Sequence, residues 1–226
     1  GRGVAAARPT SRPMPNRRLP TVTLTTRSDA GAGHYTRTGT NGWASQTITT
    51  VTAGTGVTGA TQTLTAASTS TTITETIPVG YVLVTATCTG LGAGGSATPN
   101  LPTGALVLDS AATAAGSNIA CTFTNSKRST VTLTKISNGG VGGFTFTGTN
   151  GWASQTITTV TSGTGVIGAT QTLTAASTAT TITETIPAGY ALASATCTGL
   201  GAGGTATPNL GTGALVLDAA ATSSEA

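Results

Sequence analysis

Polar and apolar residues alternate with a period of two along most of this chain, and threonine fills most of the polar positions. TVTLT (21–25), QTITTVT (46–52), TQTLT (61–65), TTITETI (71–77) and VTATCT (84–89) all interleave threonine with a mostly apolar residue. Successive side chains of a strand point to opposite faces, so this alternation predicts pleated, half-buried strands rich in β-branched residues. Glycine and asparagine break the pattern at turn spacing in TGTNG (38–42), AGTG (53–56) and GLGAGG (90–95). No window sets apolar residues at a capped 3.6-residue period, and DSAATAAGS (109–117) predicts at most one helical turn. Short strands and turns at this density predict an all-β sandwich.

The pattern occurs twice. Residues 38–113 and 147–222 align without a gap at an offset of 109 and are identical at 66 of 76 positions. The differences are mild, such as Val79/Ala188, Val82/Ala191, Val84/Ala193 and Pro102/Gly211. Solenoid repeats run about 20–50 residues, so a period this long describes two whole domains. The expected plan is a basic, disordered leader (1–20), a first sandwich (21–125), a short polar linker (126–130) and a second sandwich (131–226). The linker is expected to let the two stack end to end as beads.

The copies differ at opposite ends. Copy one continues through AAGSNIACTFTN (114–125), whose end reads as a closing strand, whereas copy two reaches Ala226 before an equivalent. Copy two is therefore expected to lack its closing strand and to present an open edge. At the start, VTLTKISNGGVGGFTF (131–146) corresponds to VTLTTRSDAGAGHYTR (22–37), so the core-facing Phe144 and Phe146 answer to Tyr35 and Arg37. An arginine at a buried phenylalanine position is costly unless its head reaches water. The first hairpin of copy one is accordingly expected to be loose or locally altered.

Charge changes the picture little. Charged residues make up 7% of the chain, and its net +4 is unevenly spread. Residues 1–37 hold Arg2, Arg8, Arg12, Arg17, Arg18, Arg27 and Arg37 against Asp29, while acids outnumber bases in the rest. The modules thus lack the basic, aromatic-interleaved face that nucleic-acid binding wants. No stretch nears the ~20 apolar residues of a membrane span. The leader has no apolar run of the secretory kind. With no initiator methionine and a stop at Ser-Ser-Glu-Ala, both ends read as edges of a fragment.

Three motifs converge: an opening V-T-L-T-K, a central I-T-E-T-I-P-x-G-Y and a closing C-T-F-T-N. Together they resemble the prealbumin-like, collagen-adhesin B-type (SpaA-like) repeat domains of bacterial surface proteins and pilins, over roughly residues 21–125 and 130–226. The resemblance implies two tandem prealbumin-like, Ig-like β-sandwiches serving as a stalk or spacer at the cell surface. It also implies a crosslinking chemistry, in which a first-strand lysine bonds to a last-strand asparagine beside a buried glutamate. Burial keeps the amine neutral, and a protonated carboxyl polarises the amide. Copy one offers Glu75 and Asn125 but has Thr26 in the lysine position; copy two offers Lys135 and Glu184 without an asparagine. Neither trio is complete. The two glutamates then read as ordinary carboxylates at strand ends, or as parts of a route completed between chains, with the open edge of copy two accepting a closing strand.

Cys88 (ATCTG) and Cys121 (IACTF) fall on strands that suit neighbours, and a disulfide between them fits an oxidising, extracellular setting. The alternative is a pair of buried thiols. Cys197 matches Cys88 and is expected to be free or available to another chain. The cysteines have neither C-x-x-C spacing nor histidine company, which argues against zinc. No motif calls for a cofactor: the GLGAGG segments lead into no helix and no lysine, so they read as turns. His34 is the only histidine, and a hydrolase reading would need it as general base beside a nucleophile elbow that is absent. Trp43 and Trp152 follow Asn-Gly turns, so a binding module for carbohydrate or ice, using them or the Thr-rich faces, is the alternative to the structural reading. The expected partners are other copies of the repeat.

Overall fold

The computed structural model describes residues 18–224. The first seventeen residues of the basic leader lie outside them.

Module one contains β1 (Thr21–Ser28), β2 (Gly33–Gly39), β3 (Gln46–Thr50), β4 (Val57–Thr58), β5 (Gln62–Thr63), β6 (Thr71–Thr76), β7 (Tyr81–Thr89), β8 (Ala97–Asn100), β9 (Ala105–Leu108) and β10 (Asn118–Lys127). They form two sheets. One runs β4-β1-β10-β7, with β5 also on β1, and the other runs β3-β2-β6-β9-β8. The first and last strands lie side by side and parallel, from Thr21 opposite Asn118 to Ser28 opposite Asn125. β10 pairs antiparallel with β7 on its other side.

The threonine alternation explains both faces of these strands. On β1, Val22, Leu24, Thr26 and Ser28 are buried while Thr21, Thr23 and Thr25 face outward. The inward set joins Leu64, Ile73, Leu106, Leu108, Ile119 and Phe123 in one core, each large side chain contributing about 1.5–3 kcal/mol by burial. The outward threonines bond across the strands. Thr23 meets Thr61 at 2.7 Å, Thr25 meets Thr58 at 2.9 Å and Thr36 meets Thr47 at 2.8 Å. Such pairs stabilise a sheet without any charge.

Turn chemistry aims the tryptophans inward. Asn41 and Gly42 take φ of 55° and 79°, and Trp43 N–H donates to Thr40 C=O at 3.1 Å, which is a type I′ turn. The Asn41 amide donates to Ala66 C=O and Thr71 Oγ1, both at 2.9 Å, which ties the turn to the neighbouring loop. Trp43 emerges 6% exposed, and Trp152, after the same turn at Asn150-Gly151, is also 6% exposed. Neither is the exposed platform that a sugar site would need. Among the described residues there is no α-helix; Asp109–Ser117 forms successive turns, with Thr113 N–H donating to Asp109 C=O at 3.3 Å.

Module two repeats one sheet faithfully. It contains β11 (Thr130–Val131), β12 (Thr134–Lys135), β13 (Gly142–Gly148), β14 (Gln155–Thr159), β15 (Val166–Ile167), β16 (Gln171–Thr172), β17 (Thr180–Thr185), β18 (Ala206–Asn209) and β19 (Ala214–Leu217). The order β14-β13-β17-β19-β18 matches β3-β2-β6-β9-β8. The other sheet is reduced to the short pairs β11–β16 and β12–β15. Among the described residues no strand takes the place of β10, and residues 190–198, the counterpart of β7, form no strand. Leu83 and Ala86 are buried, whereas Leu192 and Ala195 are half-exposed.

Two features depart from sequence expectation. The segment expected to form a loose first hairpin instead forms two regular strands in different sheets, β1 of eight residues pairing with β10, β4 and β5, and β2 of seven pairing with β3 and β6. Arg37, expected to loosen it, is 0% exposed, for the reason given below. The junction is also shorter than a polar linker over 126–130, because Ser126 and Lys127 belong to β10 and Thr130 to β11. Arg128 N–H donates to Gly80 C=O at 2.7 Å, and Leu173 N–H donates to Ser129 C=O at 2.9 Å. Ser129 Oγ donates to the carbonyls of Thr222 and Ser223 at 2.6 and 2.9 Å.

Candidate functional site

Each module buries one glutamate against one cation, and the cation comes from a different strand in each. On antiparallel β2 and β6, Arg37 stands directly opposite Glu75. Arg37 Nη2 donates to Glu75 Oε2, with both side chains 0% exposed. The guanidinium also lies over the Phe123 ring, 4.6 Å from its centroid. In module two Phe146 occupies the position opposite Glu184, and Lys135 on β12 supplies the cation, Nζ to Oε1 at 2.7 Å. Its ammonium sits 4.3 Å from the centroid of the Phe144 ring.

Arg37 is therefore buried as one half of an ion pair. Its charge is met by Glu75 and an aromatic face, and a buried charge is tolerated when so paired. Nor are Glu75 and Glu184 ordinary carboxylates at strand ends, since they are 1% and 6% exposed. Arg37 is the functional residue that the sequence reading missed. A signal existed, because where copy two reads Lys135 and Phe146, copy one reads Thr26 and Arg37. One cation has moved from the first strand to the second while its carboxylate partner stayed.

The surroundings in module one are polar and buried. Thr26 Oγ1, Ser28 Oγ, Tyr35 Oη, Arg37 Nε and Nη1, Glu75 Oε1 and both Asn125 amide atoms are buried without a hydrogen-bond partner. Asn125, on β10 opposite Ser28, faces the Glu75 carboxyl without satisfying hydrogen-bond geometry. Burial pushes the Glu75 carboxyl up, opposed by the Arg37 charge and the Asn125 amide. Burial likewise raises the Tyr35 phenol.

The E-x-x-P-x-G-Y motif builds one wall of this site. Tyr81 N–H donates to Pro78 C=O at 3.0 Å across a turn, and Gly80 takes the φ of +82° that the turn requires. Tyr81 then meets Tyr35 edge-on at 6.0 Å. Tyr190 meets Phe144 in the same way at 5.2 Å.

The chemistry available differs between the modules. Forming an amide bond needs an amine nucleophile, and a guanidinium is always protonated in proteins. Module one therefore brings together Glu75 and Asn125 with no nucleophile, Thr26 being buried where one would stand. Module two brings together Lys135 and Glu184, with no asparagine beside them among the described residues.

Cys88 and Cys121 face each other across β7 and β10 and are joined, S–S 2.01 Å. Cys197 is free and half-exposed, and burial raises its thiol pKa. His34 lies on the exposed face of β2, its Nδ1 2.9 Å from Thr49 Oγ1. Among the described residues, no three His, Cys, Asp or Glu side chains gather as a metal site. Among them, too, no helix is long and apolar enough to cross a membrane.

Two tandem all-β modules, each burying one glutamate against one cation and the first carrying a disulfide between neighbouring strands of one sheet, define a β-sandwich repeat. A SpaA-type family model, described as a prealbumin-like fold domain, matches residues 22–127 and 131–226. The chain belongs to this family, whose domains are typical of bacterial surface and pilin-type proteins and generally structural. No curated protein and no solved structure matches it.

Proposed function

We propose that this chain is a stalk or spacer segment of a bacterial cell-surface, adhesin-like protein, without catalytic turnover. The observation that carries the reading is the direct joining of two near-identical sandwiches through Arg128 and Ser129 alone. Such a junction adds length with each repeat, which is what a spacer must do. The disulfide supports an oxidising, extracellular location. His34 bonds to a threonine hydroxyl rather than to a carboxylate, which leaves the hydrolase alternative without an orienting partner for its base.

Small-angle scattering on chains of one, two and four modules tests this. The maximum dimension should grow in proportion to module number. Antibody to the chain should label intact cells of the source organism. A dimension that saturates, or labelling only after lysis, would remove the reading.

A further inference from the structure

We propose that the groove beside the joint of the two modules is a binding site for a small apolar carboxylate, held by Arg128. This goes beyond the spacer reading, which calls for no ligand.

Two turns of module one build the groove. The turn from Pro78 to Tyr81 leads into β7, and a single 3₁₀ turn, Leu101–Thr103, joins β8 to β9. Between them lies an open cavity of about 560 Å³, walled by Ile77, Val79, Val82, Leu101 and Pro102. Arg128 lines it at the joint, and Thr174 of module two borders it. Small-molecule sites span about 300–1,000 Å³, so the volume suits a ligand of that class.

The lining carries one charge. Its aliphatic side chains offer no hydrogen bond, and the Tyr81 hydroxyl already donates to Ala32 C=O at 3.3 Å. Arg128 is anchored by its backbone, whose N–H donates to Gly80 C=O at 2.7 Å. Its side chain has no such tie, because Nε is buried without a hydrogen-bond partner. Arg27, Arg37 and Lys135 each have a carboxylate within ion-pair distance, whereas among the described residues Arg128 has none. A guanidinium stays charged, and a buried N–H without an acceptor is costly. A carboxylate meets that need with a forked pair of hydrogen bonds to Nε and one Nη. The second charge of a phosphate would go unmatched by a single guanidinium. The apolar walls then take the rest of the ligand out of water.

The repeat singles out the same positions. The copies match at 66 of 76 aligned positions, so ten differ, and three of the ten lie on this groove. They are Val79/Ala188, Val82/Ala191 and Pro102/Gly211, and each places the bulkier residue in module one. Core packing does not account for the choice at Val79, which is 101% exposed.

The test is a titration of the isotope-labelled 226-residue chain with sodium octanoate, followed by nitrogen–proton NMR correlation spectra. Amide shifts should cluster within 77–83, 101–103 and at Arg128, and should saturate at millimolar octanoate. 1-Octanol, the same alkyl chain without the charge, should bind about ten-fold more weakly, as for the loss of one charge-assisted hydrogen bond. Octanoate should weaken equally on Arg128→Gln, which keeps the backbone bond to Gly80; an unchanged melting temperature shows that this variant folds. Val79→Ala, Val82→Ala and Pro102→Gly together, which give this lining the residues of module two, should also weaken octanoate. Octanol binding as tightly as octanoate, undiminished binding to Arg128→Gln, or shifts absent from the groove would overturn the proposal. So would shifts of these residues with protein concentration alone, which would assign the groove to a second copy of the chain.

Discussion

The single residue that most shapes the interior of module one is Arg37. Judged by its own position it looks like a defect, because a phenylalanine stands there in the second copy. What the sequence position could not convey is that Glu75, 38 residues further on, is its cross-strand neighbour. Pairing across a sheet is a property of register, and register is not local. Arg37→Ala should therefore destabilise module one by about 3–5 kcal/mol, the usual cost of leaving a buried partner charge alone. Denaturant titration of the variant checks this, and Glu75→Gln in the same background should recover part of the loss. The acidic turn residues act at the same scale. Asp109 accepts from Ser96 Oγ at 2.6 Å and from Ala112 N–H at 2.7 Å, and Asp218 repeats this with Thr205 and Ala221. These bonds hold both carboxyls below the usual range. A depressed native pKa gives stability that is present above about pH 4 and lost as pH falls through the native value. Asp109→Asn and Asp218→Asn should lower the melting temperature at pH 7 and lose that effect in strong acid, as followed by circular dichroism.

At the scale of elements, alternation in the sequence located strands where a pairing strand was present. It marked VTATCT (84–89), which lies in a strand, whereas the counterpart ASATCT (193–198), with Ala193 and Ser194 in place of Val84 and Thr85, forms none. The pattern says which face would be buried; the ladder that makes a strand comes from its neighbours. The same reasoning separates the two ways of neutralising the buried glutamate. The lysine position on β1 and the arginine position on β2 are alternatives, and each module uses one. In module one the double change Thr26→Lys with Arg37→Phe would install the lysine arrangement beside Glu75 and Asn125. On the chemistry that the resemblance implies, this variant should lose the mass of one ammonia. A third change, Asn125→Ala, should restore the unreacted mass, so intact-mass spectrometry reads both outcomes.

For the whole molecule, repetition was legible from the alignment. The loss of strand structure at 190–198 was not read from it, although Val82/Ala191, Val84/Ala193 and Thr85/Ser194 all fall in that segment and replace β-branched residues with poorer strand formers. The two modules should also differ in their response to reductant. The Cys88–Cys121 bond spans 33 residues, which corresponds to about 3–4 kcal/mol of restraint on the unfolded chain. Calorimetry should show two transitions, of which reduction lowers only that of module one. The parallel placement of β1 beside β10 carries a mechanical consequence. Tension enters module one at Thr21 and leaves at Lys127, at opposite ends of two adjacent parallel strands. Pulling then slides one strand along the other, so the hydrogen bonds between them share the load and must yield together.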